Sequence, residues 1–184
     1  MPNTQHSPDD IIHFWFNEID PKAWFDNDSE FDALIKQRFE PLLIQAKQGE
    51  LYHWRITPQG RLAEIIILDQ FSRNIYRDTP QAFAADPMAL ALAQEAVAAG
   101  ADQQLNVSYV SFLYMPYMHS ESRAIHEVAL ILFSREAVTA NLPFEQRHKA
   151  IIDRFGRYPH RNHILGRRST PEEVAFLQQP GSRF

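Results

Sequence analysis

The sequence predicts an all-α fold, and three observations carry that prediction: helix-start punctuation that recurs along the chain, apolar residues at spacings of three and four, and no run of alternating strand character. A residue able to cap free N–H groups stands before a proline five times, at Ser7-Pro8, Thr57-Pro58, Thr79-Pro80, Asp86-Pro87 and Thr170-Pro171. Ser7 and Thr170 each have an acidic residue three positions on, Asp10 and Glu173, the spacing of a reciprocal capping box. Gly49, Gly100 and Gly156 follow amphipathic runs and supply the left-handed residue that ends a helix.

In chain order, a short helix is expected near Ile11 to Phe16. A longer one runs from Ser29 to Gln48, where Phe31, Leu34, Ile35, Phe39, Leu42, Leu43 and Ala46 form one face and Pro41 predicts a kink. Further helices are expected from Pro58 to Phe71, Pro87 to Ala99, Ser120 to about Val138, Phe144 to Phe155 and Pro171 to Gln178. Val107 to Tyr117 is rich in strand-favouring Val, Tyr and Phe, yet a lone strand has no partner, so it too reads as helix. Short connections between such helices describe a bundle or an array of antiparallel helix hairpins.

At 184 residues, with 45% hydrophobic and 22% charged content, residues 1–184 read as a single helical domain with one core. A net charge of -5 gives no general attraction to nucleic acid. With no cysteine, disulfides, thiolate metal sites and a cysteine nucleophile are excluded. The start, MPNTQHSPDD, lacks a secretory pattern and no apolar run approaches membrane-spanning length, so a soluble, cytoplasmic, bacterial-type protein is expected. Phe14, Trp15, Phe16, Trp24, Phe25 and Trp54 are expected in the core.

Three polar stretches stand out. In Leu68-Asp69-Gln70-Phe71-Ser72-Arg73-Asn74, Asp69 and Arg73 are four apart and share a helix face; the alternative is a pair that only pins a helix end. In the second, His119 and Glu121 are expected at a helix start, with His126 two turns beyond His119. His126-Glu127 begins like a zinc-protease helix, but the second histidine is missing. The third, Asp153 to His163, offers Arg157 and Arg161 with His160 and Asn162 as an anion cradle, or else as charges paired with the acids of the other stretches. No metal site is expected from His119, Glu121, His126, His160 and His163, no cofactor fingerprint is present, and none of the phosphate-binding or nucleophile-elbow motifs occurs.

Together these stretches resemble the bacterial domain-of-unknown-function family 924. The resembling segments are Trp24-Phe25, Gly60-Arg61-Leu62 running into Leu68 to Asn74, Phe83 to Asp86, His119-Ser120-Glu121, Phe155 to Asn162, Gly166-Arg167 and Ser169 to Glu173, spread over nearly the whole chain. The resemblance implies a tetratricopeptide-like superhelix of antiparallel helix pairs with no established activity. Its pattern includes Asp69, Arg73, Asn74, His119, Glu121, Arg157, His160, Arg161 and Asn162. Ser72 departs from it, proline being more usual there, and His163 lies outside it.

Two functions remain. One is a pocket for a small anionic or polar metabolite lined by Asp69, Arg73, Asn74, Glu121, Arg157, Arg161 and Asn162, with His119 or His160 as acid–base group if it is catalytic. The other is a non-enzymatic module whose paired helices hold a protein partner. A pocket requires the clusters around one concavity, whereas a scaffold pairs them with one another.

Overall fold

The computed structural model describes residues 6–183. Residues 1–5, part of the stretch read for a secretory signal, and residue 184 lie outside that range. Among the described residues the chain is helical with no strand. Its α-helices are α1 (Pro8–His13), α2 (Ser29–Lys47), α3 (Pro58–Ile66), α4 (Ser72–Ile75), α5 (Asp86–Ala98), α6 (Val107–Met118), α7 (Arg123–Phe133), α8 (Leu142–Phe155) and α9 (Pro171–Leu177). Among the described residues no helix is long and apolar enough to cross a membrane.

The punctuation acts where its chemistry is local. Ser7 Oγ accepts from Asp10 N while Asp10 Oδ2 accepts from Ser7 N at 2.7 Å, opening α1; Thr170 and Glu173 do the same for α9. Thr57 Oγ1 caps α3 through Gly60 N at 3.0 Å. Thr79 and Asp86 make no cap bond: Thr79 Oγ1 donates to Tyr76 O, and Asp86 is the first residue of α5 with its carboxylate committed elsewhere. Gly100 and Gly156 take φ values of 70° and 72°, as their stop positions require.

The element that organises the fold is a rod running from Pro58 to Ile75. It is α-helical to Ile66, loosens into a π-helical turn over Ile67–Phe71, and tightens again as α4. Every residue from Leu62 to Ser72 is buried, so this rod is covered on all sides by α1, α2, α5 and α6. α5 approaches it closely because its inward positions are Ala89, Ala93 and Ala96. Phe14, Trp15 and Phe39 close around Phe71, with ring centres 6.0, 5.6 and 5.0 Å away. A smaller apolar group, Ile151, Ile152 and Tyr158 with Phe155 and Phe176, seats the C-terminal segments on α8.

α2 stays helical through Pro41, which is exposed. Three expectations change. The helix expected from Ser120 to Val138 is only Arg123–Phe133, because Ser122 caps it and residues 136–141 form a 3-10 turn instead. His119 therefore ends α6 rather than starting α7, its N–H bonding Met115 O at 2.9 Å. Phe25 is 69% exposed and not core, since it sits on the rim of a surface hollow.

Gly60 is needed for a steric reason. A Cβ there would lie 1.9 Å from the Trp54 carbonyl oxygen, backbone that cannot move aside, whereas nothing lies within 4 Å of one built on Gly49. Gly60→Ala is expected to lower the unfolding free energy by about 2–4 kcal/mol in urea titrations. Gly49→Ala, which meets only the left-handed backbone penalty, is expected to lose about 1–2 kcal/mol. Equal losses at the two positions are incompatible with this steric account.

Candidate functional site

The π-turn carries Asp69 into the interior, where its carboxylate is almost wholly enclosed. Its oxygens are matched by three donors. His119 Nδ1 lies 2.7 Å from Oδ1, Gln70 Nε2 donates to Oδ2 at 2.6 Å, and Arg73 Nη1 donates to the backbone oxygen at 2.9 Å and to Oδ1 at 3.3 Å. Burial alone pushes such a carboxyl up, but His119, Arg73 and the hydrogen bonds outweigh it and hold Asp69 below its ordinary value.

An ionised Asp69 can only accept, which places the His119 proton on Nδ1. Burial pushes the His119 pKa down against the pull of Asp69, and neighbouring Arg73 pushes the same way, so the imidazole is neutral near pH 7. Nε2 then carries the lone pair, and no group among the described residues hydrogen-bonds it. An imidazole with its tautomer set by a buried carboxylate is the arrangement of a general base.

Two arginines flank this pair. Arg73 forks onto Asp86, with Nη1 to Oδ1 at 2.8 Å and Nη2 to Oδ2 at 3.0 Å. Arg161 is only 6% exposed, held between the Phe83 and Tyr158 rings at 4.5 and 4.6 Å. Its Nη2 donates to His119 O at 3.0 Å and its Nη1 reaches Asp86 at 3.5 Å, while its Nε is buried with no partner among the described residues. Burial and Arg73 lower its pKa. Arg73 and Arg161 are balanced by Asp69 and Asp86, so the cluster offers directed donors and one base rather than surplus positive charge.

The bacterial family of unknown function DUF924 has a sequence model that matches residues 11–181. This chain belongs to that family. A solved structure of a protein of unknown function, ATU0120 from Agrobacterium tumefaciens, is similar to the DUF924 chain at a TM-score of 0.86, with 37% identity over 93% of this chain and 96% of that one. No curated protein matches.

The other residues of the predicted set are engaged in different contacts. Asn74 donates to Asp32 at 2.8 Å, beside Arg77, and so ties α4 to α2. Glu121 accepts from Tyr158 N and from both terminal nitrogens of Arg167. Arg157 forks onto Glu173 at 2.7 and 2.8 Å, and Asn162 binds Ser169, Glu173 and Arg167. His160 lies beside the Tyr158 ring at 5.7 Å, its pKa pushed down to about 4 by burial and by Arg161. Of the predicted set, then, Asp69, Arg73, His119 and Arg161 meet, His160 packs on Tyr158 next to Arg161, and Asn74, Glu121, Arg157 and Asn162 serve other contacts.

His126 does not join His119 on a common partner. It is fully buried, with Nδ1 2.6 Å from Glu145 and Nε2 2.8 Å from Ser120 O. Burial raises the Glu145 pKa. Among the described residues no group of three or more His, Cys, Asp or Glu side chains is placed to hold a metal ion. Sequence reasoning missed Asp86 as a site residue, because its place before Pro87 reads as a helix cap.

The buried histidines set an acid limit on stability. Burial pushes His148 down to about 3 and His160 to about 4, so below pH 6.5 the unfolded chain takes up protons that the folded chain refuses. Their stabilising effect is complete above about pH 6.5 and is lost as pH falls toward the folded values. Urea unfolding is expected to show a loss of about 2–4 kcal/mol between pH 7 and pH 5, reduced in His148→Gln. A flat profile over that interval contradicts it.

Arg157→Ala, which leaves the buried Glu173 carboxylate without its fork, is expected to destabilise by about 1–3 kcal/mol in the same assay.

Proposed function

We propose that this DUF924 chain binds a small polar or anionic metabolite at the cluster of His119, Arg73 and Arg161, and that His119 Nε2 takes a proton from it. The observation that carries the reading is the buried Asp69–His119 hydrogen bond at 2.7 Å, which commits one imidazole nitrogen and leaves the other as a base. Arg161 supports it, because an enclosed guanidinium whose Nε has no partner among the described residues is an unsatisfied donor beside His119. The balanced charge of the cluster favours a ligand with at most one negative charge and several acceptors. His160, beside Arg161, belongs to the rim of this site in the proposal. A π-turn at its centre fits the frequent use of such turns at functional positions.

A second reading, the non-enzymatic partner module with tetratricopeptide-like stacking, is favoured by a different observation. Val128 and Ile131, three apart on α7, are 41% and 69% exposed, an apolar strip on a well-packed helix.

A thermal-shift panel of hydroxy acids, amides, sugars and monophosphates tests the first reading. A true ligand at about 100 times its Kd adds about 2.7 kcal/mol to the native state and raises the midpoint by about 5–10 °C. The shift is expected to disappear in His119→Gln. If a ligand turns over, the rate is expected to rise with a pKa below 6.5, the direction in which His119 is displaced. A shift that survives His119→Gln, or a rate limb well above pH 6.5, overturns the assignment of His119.

A further inference from the structure

A hollow lies away from the polar cluster, between the 3-10 turn Pro21–Phe25, the outer side of α6 and the 3-10 turn Glu136–Asn141. Trp24, Phe25, Val107, Phe112, Met115 and Val138 form its apolar walls. These walls are held in place before anything enters. The Trp24 indole N–H donates to Trp15 O at 2.9 Å, its ring meets Phe112 edge-on at 4.8 Å, and Phe25 lies parallel to Phe112 at 6.4 Å.

Three polar side chains also line the hollow: Ser108, Ser111 and Asn141. None of them has a hydrogen bond within the described residues, although helical serines commonly bond the carbonyl four residues back, as Ser134 Oγ does to Leu130 O at 2.6 Å. The lining contains no Asp, Glu, Lys, Arg or His. A charged guest therefore meets no counter-charge in the lining, whereas one hydroxyl or carbonyl finds partners.

From this geometry we infer that the hollow is a binding site for an uncharged small molecule with an apolar, ring-sized body and a single hydrogen-bonding head. The volume, about 270 Å³, sets the size. An apolar cavity of about 150 Å³ holds benzene, so this one accommodates roughly ten or eleven non-hydrogen atoms. The body lies against Trp24, Phe112 and Met115, and the head reaches Ser111 or Asn141. At the inner end, buried Met115 touches Gln70 Nε2 through its sulfur at 3.4 Å, and Gln70 also holds Asp69. The two sites are thus linked by the Gln70–Met115 contact but share no lining group, and the hollow stands whatever His119 does.

The test is a titration of the full chain with 4-phenylbutan-1-ol, followed by the Trp24 indole and the Ser111 and Val138 amide resonances. Saturable shifts confined to these groups are expected. The carboxylate analogue, 4-phenylbutyrate, is expected to bind about tenfold or more weakly, because its charge has no partner in the lining. Ser111→Leu, which fills the hollow from α6, is expected to abolish binding, and Asn141→Leu blocks it independently from the opposite wall. Absence of saturation, shifts spread elsewhere, or binding that persists in both variants overturns the site. Equal affinity for the carboxylate overturns the ligand class.

Discussion

A carboxylate taken out of water has to be matched by donors on every side, and the middle of this molecule is arranged around that requirement at Asp69. The π-turn places it in a rod buried from Leu62 to Ser72, and three elements must arrive in register to satisfy it. Gln70 comes from the same turn, Arg73 from the next, and His119 from the end of α6. Arg73 in turn brings Asp86 from the start of α5, and Asp86 brings Arg161 from the C-terminal segment. One buried charge thereby fixes the relative positions of four parts of the chain. The same constraint sets the tautomer of His119, so the chemistry assigned to that ring is a consequence of packing.

Carboxylates met by arginine forks recur through the fold. Arg55 grips buried Glu64 with two bonds of 2.6 Å, Arg77 grips Asp32, Arg157 grips Glu173 and Arg167 grips Glu121. Such pairs add little net stability over well-packed apolar groups, but each tolerates only one alignment of its partners. Most of the conspicuous polar motifs therefore hold irregular connections against helices. The Asp69 cluster differs in leaving a lone pair on His119 and a donor on Arg161 unused among the described residues.

The fold keeps its polar cluster and its apolar hollow apart, with Gln70 and Met115 between them. α6 is the element common to both. Ser108, Ser111 and Met115 face the hollow, and His119 closes the same helix one turn beyond Met115. Because α6 is covered by α3, α5 and α7 on its other sides, neither site can shift without disturbing the core.

Much of the fold was legible because its signals act within one helical turn. Ser7 with Asp10, Thr57, Thr170 with Glu173, and the stops at Gly100 and Gly156 bond or bend their own neighbours, so the all-α class and most helix positions follow from the sequence alone. Val and Tyr in α6 favour strand by propensity, but the lack of any partner strand made the segment legible as helix, whereas Asp86 resembles a cap until Arg73 claims it. The candidate site was legible only as a set of residues. Which of them meet depends on partners 50 residues apart for Asp69 and His119 and 75 apart for Asp86 and Arg161, and no spacing rule reaches that far. The sequence by itself determined a helical chain, its caps and stops, and its stock of arginines, histidines and carboxylates. Tertiary packing alone decided that Arg157 and Asn162 clamp Glu173 while His119 Nδ1 is committed to Asp69, because a buried charge takes whichever donor the fold brings to it.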